Sequence, residues 1–76
     1  MDEVQVKEYL IENDQEFRQL AQQHQDYERQ LQELQSKTYL NEQEQFQETV
    51  IKKKKLAVKD QMQLRIYRYR TEHAVG

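Results

Sequence analysis

Two histidines, His24 and His73, stand 49 positions apart, a separation that makes a poor metal pair. The chain has no cysteine, which excludes disulfides and cysteine-based zinc sites. Asp60 is a lone carboxylate with no acid/base partner. Its helical neighbours Leu56, Ala57, Gln63 and Leu64 offer it no local ion pair. No glycine-rich phosphate loop occurs, and no Ser/His/Asp grouping sits where a rigid scaffold would hold it. These types and spacings point away from an enzyme, with no cofactor and no metal.

The cations are better placed to do something. Lys52, Lys53, Lys54 and Lys55 are consecutive, and Lys59, Arg65, Arg68 and Arg70 follow. These eight are the candidate anion contacts. On a helix, successive lysines project about 100° apart, so the run cannot form one flat patch. Tyr67 and Tyr69 alternate with arginines, a pattern that can stack on single-stranded bases or hold an anionic membrane surface. A plainer reading competes. Residues 1–50 hold four basic and twelve acidic residues, while 51–76 hold eight basic and two acidic, within a net charge of −2. The two halves therefore have reason to lie against each other, and that reading is preferred.

At 76 residues the chain is one small domain, in the range where a single core is marginal. About a dozen buried apolar side chains would contribute roughly 1.5–3 kcal/mol each. Ordering the chain costs on the order of 1.5 kcal/mol per residue, so an isolated copy is expected to need another source of stability. Association with a second chain is the expected one. The absence of proline, one glycine at the end and abundant Gln, Glu, Lys and Leu predict helix nearly throughout. No apolar run approaches the ~20 residues of a membrane span. Asp2 and Glu3 open the chain in place of a basic signal region, so a cytoplasmic location is expected.

Residues 1–12 form a weakly amphipathic helical extension through Val6, Tyr9, Leu10 and Ile11. Asn13, with Glu16 three residues on, has the pattern of an N-cap opening a first long helix over 14–35. Phe17, Leu20, His24, Tyr27, Leu31 and Leu34 follow the spacing 3, 4, 3, 4, 3, a heptad seam. The register reaches back through Asn13 and Leu10 to Val6, so the first two helices are also readable as one with a weak joint. Residues 36–41 break the pattern and form the turn. Asn41 and Glu44 repeat the capping signature and open a second long helix over 42–70, followed by a frayed tail at 71–76.

That second helix carries two apolar stripes. Phe46, Val50, Lys53, Ala57, Asp60, Leu64 and Tyr67 follow the spacing 4, 3, 4, 3, 4, 3 and are assigned to the hairpin seam. Folding back near residue 38 sets Leu31 near Phe46, Tyr27 near Val50, His24 beside Lys53 and Phe17 beside Asp60. His24 is then either a pH switch or ligand, or a packed polar residue that fixes register, and the second reading is preferred. Asp60 would accept hydrogen bonds from the start of the first long helix and clamp the two in register. The other stripe, Ile51, Val58, Met62 and Tyr69 with Ile66 at its edge, lies about 120° away. It is assigned to an oligomer or partner interface, with the N-terminal segment a lesser cover.

Two runs carry a resemblance: Glu16-Phe17-x-x-Leu20-x-x-x-His24 and Ile51-Lys52-x-x-Lys55-Leu56-x-Val58-Lys59-Asp60-x-Met62. The sequence resembles the YdcH-like family of small bacterial proteins, a domain of unknown function, over most of its length. It departs from the family's pattern where Ile51 and Val58 replace leucine, and where Ser36 to Asn41 replaces a turn that often contains glycine. The resemblance implies an antiparallel helical hairpin from a bacterium and implies no activity.

The expected molecule is thus all-α, an antiparallel two-helix hairpin of coiled-coil character with a short N-terminal helical extension. It is expected to assemble as a dimer or tetramer, with an unknown protein partner possible in principle. Its expected role is a non-enzymatic bacterial interaction or scaffolding module. The alternative is a nucleic-acid-associated protein using the basic second helix.

Overall fold

In the computed structural model, which describes residues 2–73, three helices account for most of those residues: α1 Glu3–Asn13, α2 Gln15–Gln35 and α3 Glu42–Glu72. Each begins at a side chain that caps free backbone N–H groups. Asp2 accepts from the Gln5 N–H at 2.8 Å, and the Gln5 side chain accepts from the Asp2 N–H in return. Asn41 and Glu44 make the same reciprocal pair at the start of α3. At the start of α2 the cap is Asp14, not Asn13. Asp14 has extended backbone and accepts the Phe17 N–H at 3.0 Å. Asn13 instead ends α1, its side-chain amide donating to the Tyr9 carbonyl.

One extended residue therefore separates α1 from α2, and the two are not one continuous helix. Arg18 braces the joint by donating to the carbonyls of Ile11 (2.8 Å) and Glu12 (3.1 Å), which end α1 without intrahelical partners. The α2–α3 turn needs no glycine: no described residue has positive φ. Ser36 closes α2 with its hydroxyl on the Glu33 carbonyl, and Lys37 pairs with Glu44 across the turn.

Helices α2 and α3 lie along each other and run in opposite directions. Lys37 pairs with Glu44, Glu28 with Lys55, and Glu16 with Arg65. Relative to the expected register, partners on α3 lie about a turn or more nearer its C-terminus. The helix is also turned about its own axis, and the two stripes are exchanged. Val58 and Ile66 are buried, and Ile51, Met62 and Tyr69 are half-buried, so the stripe assigned to an external interface is internal. Phe46, Ala57, Asp60 and Leu64, assigned to the seam, are exposed, and Val50 is half-buried.

The physical reason is charge. Burying the Phe46 stripe would take Lys53 and Asp60 out of water, whereas the Ile51 stripe is edged by Lys55 and Arg65, which reach acidic partners on or at the start of α2, Glu28 for Lys55 and Asp14 and Glu16 for Arg65.

The core sits at one end. Val6, Leu10, Phe17 and Ile66 form a buried cluster, with Met62 and Tyr69 packed against it. α1 supplies half of those buried residues, so it is a structural element in its own right. Together with α2 it covers the end of the α3 stripe assigned to an oligomer or partner interface. Gln63 donates to Glu3 at 3.2 Å and fastens α1 to α3. Of the expected tail at 71–76, residues 71 and 72 belong to α3, and 74–76 lie outside the described residues.

Candidate interaction surface on α3

The two histidines lie far apart and in different surroundings. His24 is half-buried on α2 among the seam residues, and Lys53, its expected neighbour, points to the exposed side of α3. Instead, Lys55 reaches α2 one turn beyond His24, at Glu28. That bond is the main reason the Glu28 carboxyl titrates below the usual glutamate range. His73 lies far away, stacked on Tyr69 with ring centroids 4.1 Å apart. Tyr69 in turn lies against Tyr9 at 5.0 Å, and its hydroxyl is pushed up from the ordinary tyrosine value, first by desolvation and then by Tyr9. Among the described residues, no group of three His, Asp or Glu side chains is arranged to hold a metal. No helix among them is long and apolar enough to cross a membrane.

A shallow cleft at the α1–α2 joint is lined by Tyr9, Asn13, Glu16 and Arg65. Its cation is already committed, since Arg65 donates to Asp14 at 3.2 Å and also pairs with Glu16. Asp60 makes no such clamp. It is exposed, and the register-setting contact near the start of α2 belongs to Arg65. The signal for it was available in the acidic pair Asp14 and Glu16, which α2 presents at its first turn.

The basic residues divide into two groups. Lys52 pairs with Glu48 at 3.4 Å, while Lys55 and Arg65 bind α2. Lys53, Lys54, Lys59, Arg68 and Arg70 are exposed and have no acidic partner among the described residues. Of the eight candidate anion contacts, three are thus internal braces.

What α3 leaves open is an apolar face. Phe46 is 69% exposed, Leu56 59%, Leu64 49% and Tyr67 67%, on the side of the helix away from α2. Single exposed hydrophobics are common, whereas here four large ones share one side of one helix, with the exposed Lys53 and Asp60 between them. Leu56 stood in no stripe on the sequence because it lies at the flank of this one.

Residues 17–69 match the model of a family described as "Protein of unknown function (DUF465)". The chain belongs to the DUF465 family. The YdcH-like resemblance falls within it. No curated protein and no solved structure matches the chain. The DUF465 match takes in α3 through Tyr69 and α2 from Phe17 onward, including the whole open face. Helix α1 precedes it, so the matched region contributes Phe17 and Ile66 to the core, and Val6 and Leu10 come from outside it.

Proposed function

We propose that this DUF465 chain is a non-enzymatic protein-interaction or scaffolding module, a coiled-coil-like antiparallel hairpin braced by α1. Its contact surface is the outer face of α3. The supporting observation is the exposure of Phe46, Leu56, Leu64 and Tyr67 on a helix whose opposite face is already packed. A helix with one face committed and the other apolar suits helix-to-helix recognition. The YdcH-like resemblance adds a bacterial setting.

A photo-reactive amino acid placed at Leu56 or Leu64 in cells, with Gln22 on exposed α2 as control, tests this reading. Covalent protein adducts are expected from α3 and not from Gln22. No adduct from either α3 position overturns it.

A second reading rests on the unpaired cations Lys53, Lys54, Lys59, Arg68 and Arg70. A nucleic-acid role for them predicts binding to single-stranded oligonucleotides that weakens steeply with salt. An apolar contact would hold.

A further inference from the structure

From the order of residues along the open face of α3, we infer that its occupant is a second copy of this chain, docked antiparallel about a two-fold axis near Ala57. The inference rests on the reading of that face as a contact surface and supplies the partner. An isologous interface requires a surface complementary to itself reversed, and this one is. With the axis between Leu56 and Ala57, these two residues meet their own counterparts at the centre. Phe46 then faces the partner copy's Tyr67, and Val50 faces its Leu64, so both ends of the contact are apolar. Between them Lys53 faces Asp60 of the partner copy, and the symmetry gives that pair twice. At the flank Glu42 faces the partner copy's Arg70.

These four charged residues are exposed and have no ion-pair partner within the chain among the described residues. Each finds its opposite across the axis. A parallel arrangement would set Lys53 on Lys53, Asp60 on Asp60 and Arg70 on Arg70, so the charge order selects one direction. The helix is 31 residues long, about 46 Å, which gives the contact room for this full set of layers.

Sedimentation over a wide concentration range tests this on the full chain. The wild type is expected to dimerise. Lys53→Asp and Asp60→Lys each bring like charges together twice and are expected to weaken the dimer about tenfold or more, while the combined swap restores it. Both positions are exposed, and unchanged helicity by circular dichroism confirms that each variant is folded. Because the chain lacks cysteine, Ala57→Cys reports the axis directly by forming a disulfide-linked dimer. Phe46→Cys alone is expected not to link, but to link when mixed with Tyr67→Cys.

A chain that stays monomeric overturns the inference, as does a dimer indifferent to both reversals or one that Phe46→Cys links to itself. If photo-adducts with other proteins appear while the chain is monomeric, the contact-surface reading stands and this inference alone fails.

Discussion

The carboxylate of Asp14 joins two helices with its two oxygens. Oδ1 accepts the Phe17 N–H that opens α2, and Oδ2 accepts Nη1 of Arg65 from α3 at 3.2 Å. Asp14→Ala removes the helix cap, at a cost of about 0.5–2 kcal/mol, and leaves Arg65 with only an exposed partner. Glu16→Ala breaks a pair that is largely in water and is expected to cost well under about 1 kcal/mol. Urea unfolding of the two variants separates them. Equal midpoints would mean Asp14 is no more than a surface carboxylate.

Phe17 and Phe46 are the two phenylalanines, and they have opposite fates. Phe17 is fully buried where α1, α2 and α3 meet, while Phe46 faces solvent. Phe17→Ala is expected to cost about 3–5 kcal/mol, as much as a domain of this size commonly has, and so to abolish cooperative unfolding. At dilutions where the chain is monomeric, Phe46→Ala is expected to change stability by less than about 0.5 kcal/mol. The reverse ranking would restore the Phe46 stripe to the seam.

Arg18 holds the end of α1 from the first turns of α2. Arg18→Ala removes a cation from a helix C-terminus that has no basic residue of its own, worth about 0.3–1 kcal/mol. Hydrogen exchange should show faster opening of amides in α1 with those of mid-α2 unchanged. Uniform acceleration across all helices would argue that Arg18 acts globally.

The pH response follows from Glu28 and Glu44, both held below the usual glutamate value of 4.5, by Lys55 and by Lys37 with the Asn41 N–H. A carboxyl depressed in the folded state stabilises above its unfolded value and loses that stabilisation as pH falls through the folded one. Unfolding midpoints should therefore be level near neutrality and fall below about pH 4.5. In the double variant Lys37→Gln, Lys55→Gln the fall should be shallower. Tyr69 carries the opposite sign: its raised value means stability present below about pH 10 and lost above it. The Tyr9 contact on α1 should loosen first, and Tyr69→Phe should blunt the alkaline loss. An alkaline curve unchanged by that variant would place the loss elsewhere.

Much of this was legible in the residues because it is local. Caps are short-range hydrogen bonds, so Asn41 and Glu44 mark the start of α3 in sequence and structure alike. On α2, Phe17 and Leu31 are buried, and Leu20, His24, Tyr27 and Leu34 between and beyond them are half-buried, because a heptad spacing on one helix leaves one face to hide. The Asn13–Asp14 joint misled by one residue, since both side chains are capping types and only Asp14 can also meet Arg65.

Helicity, the end of α2, the start of α3 and the lack of any cysteine chemistry are all written in local residue types. Which stripe of α3 is buried depends on the packing of all three helices. Two stripes of comparable apolar content compete on that helix, and helical periodicity treats them alike. The choice falls to partners distant in the chain: Phe17 and α1 against Ile66, Glu28 for Lys55, and Asp14 for Arg65. Burying the Ile51 stripe leaves Lys53 and Asp60 in water, and the balance of desolvation against apolar cover turns Phe46, Leu56, Leu64 and Tyr67 outward.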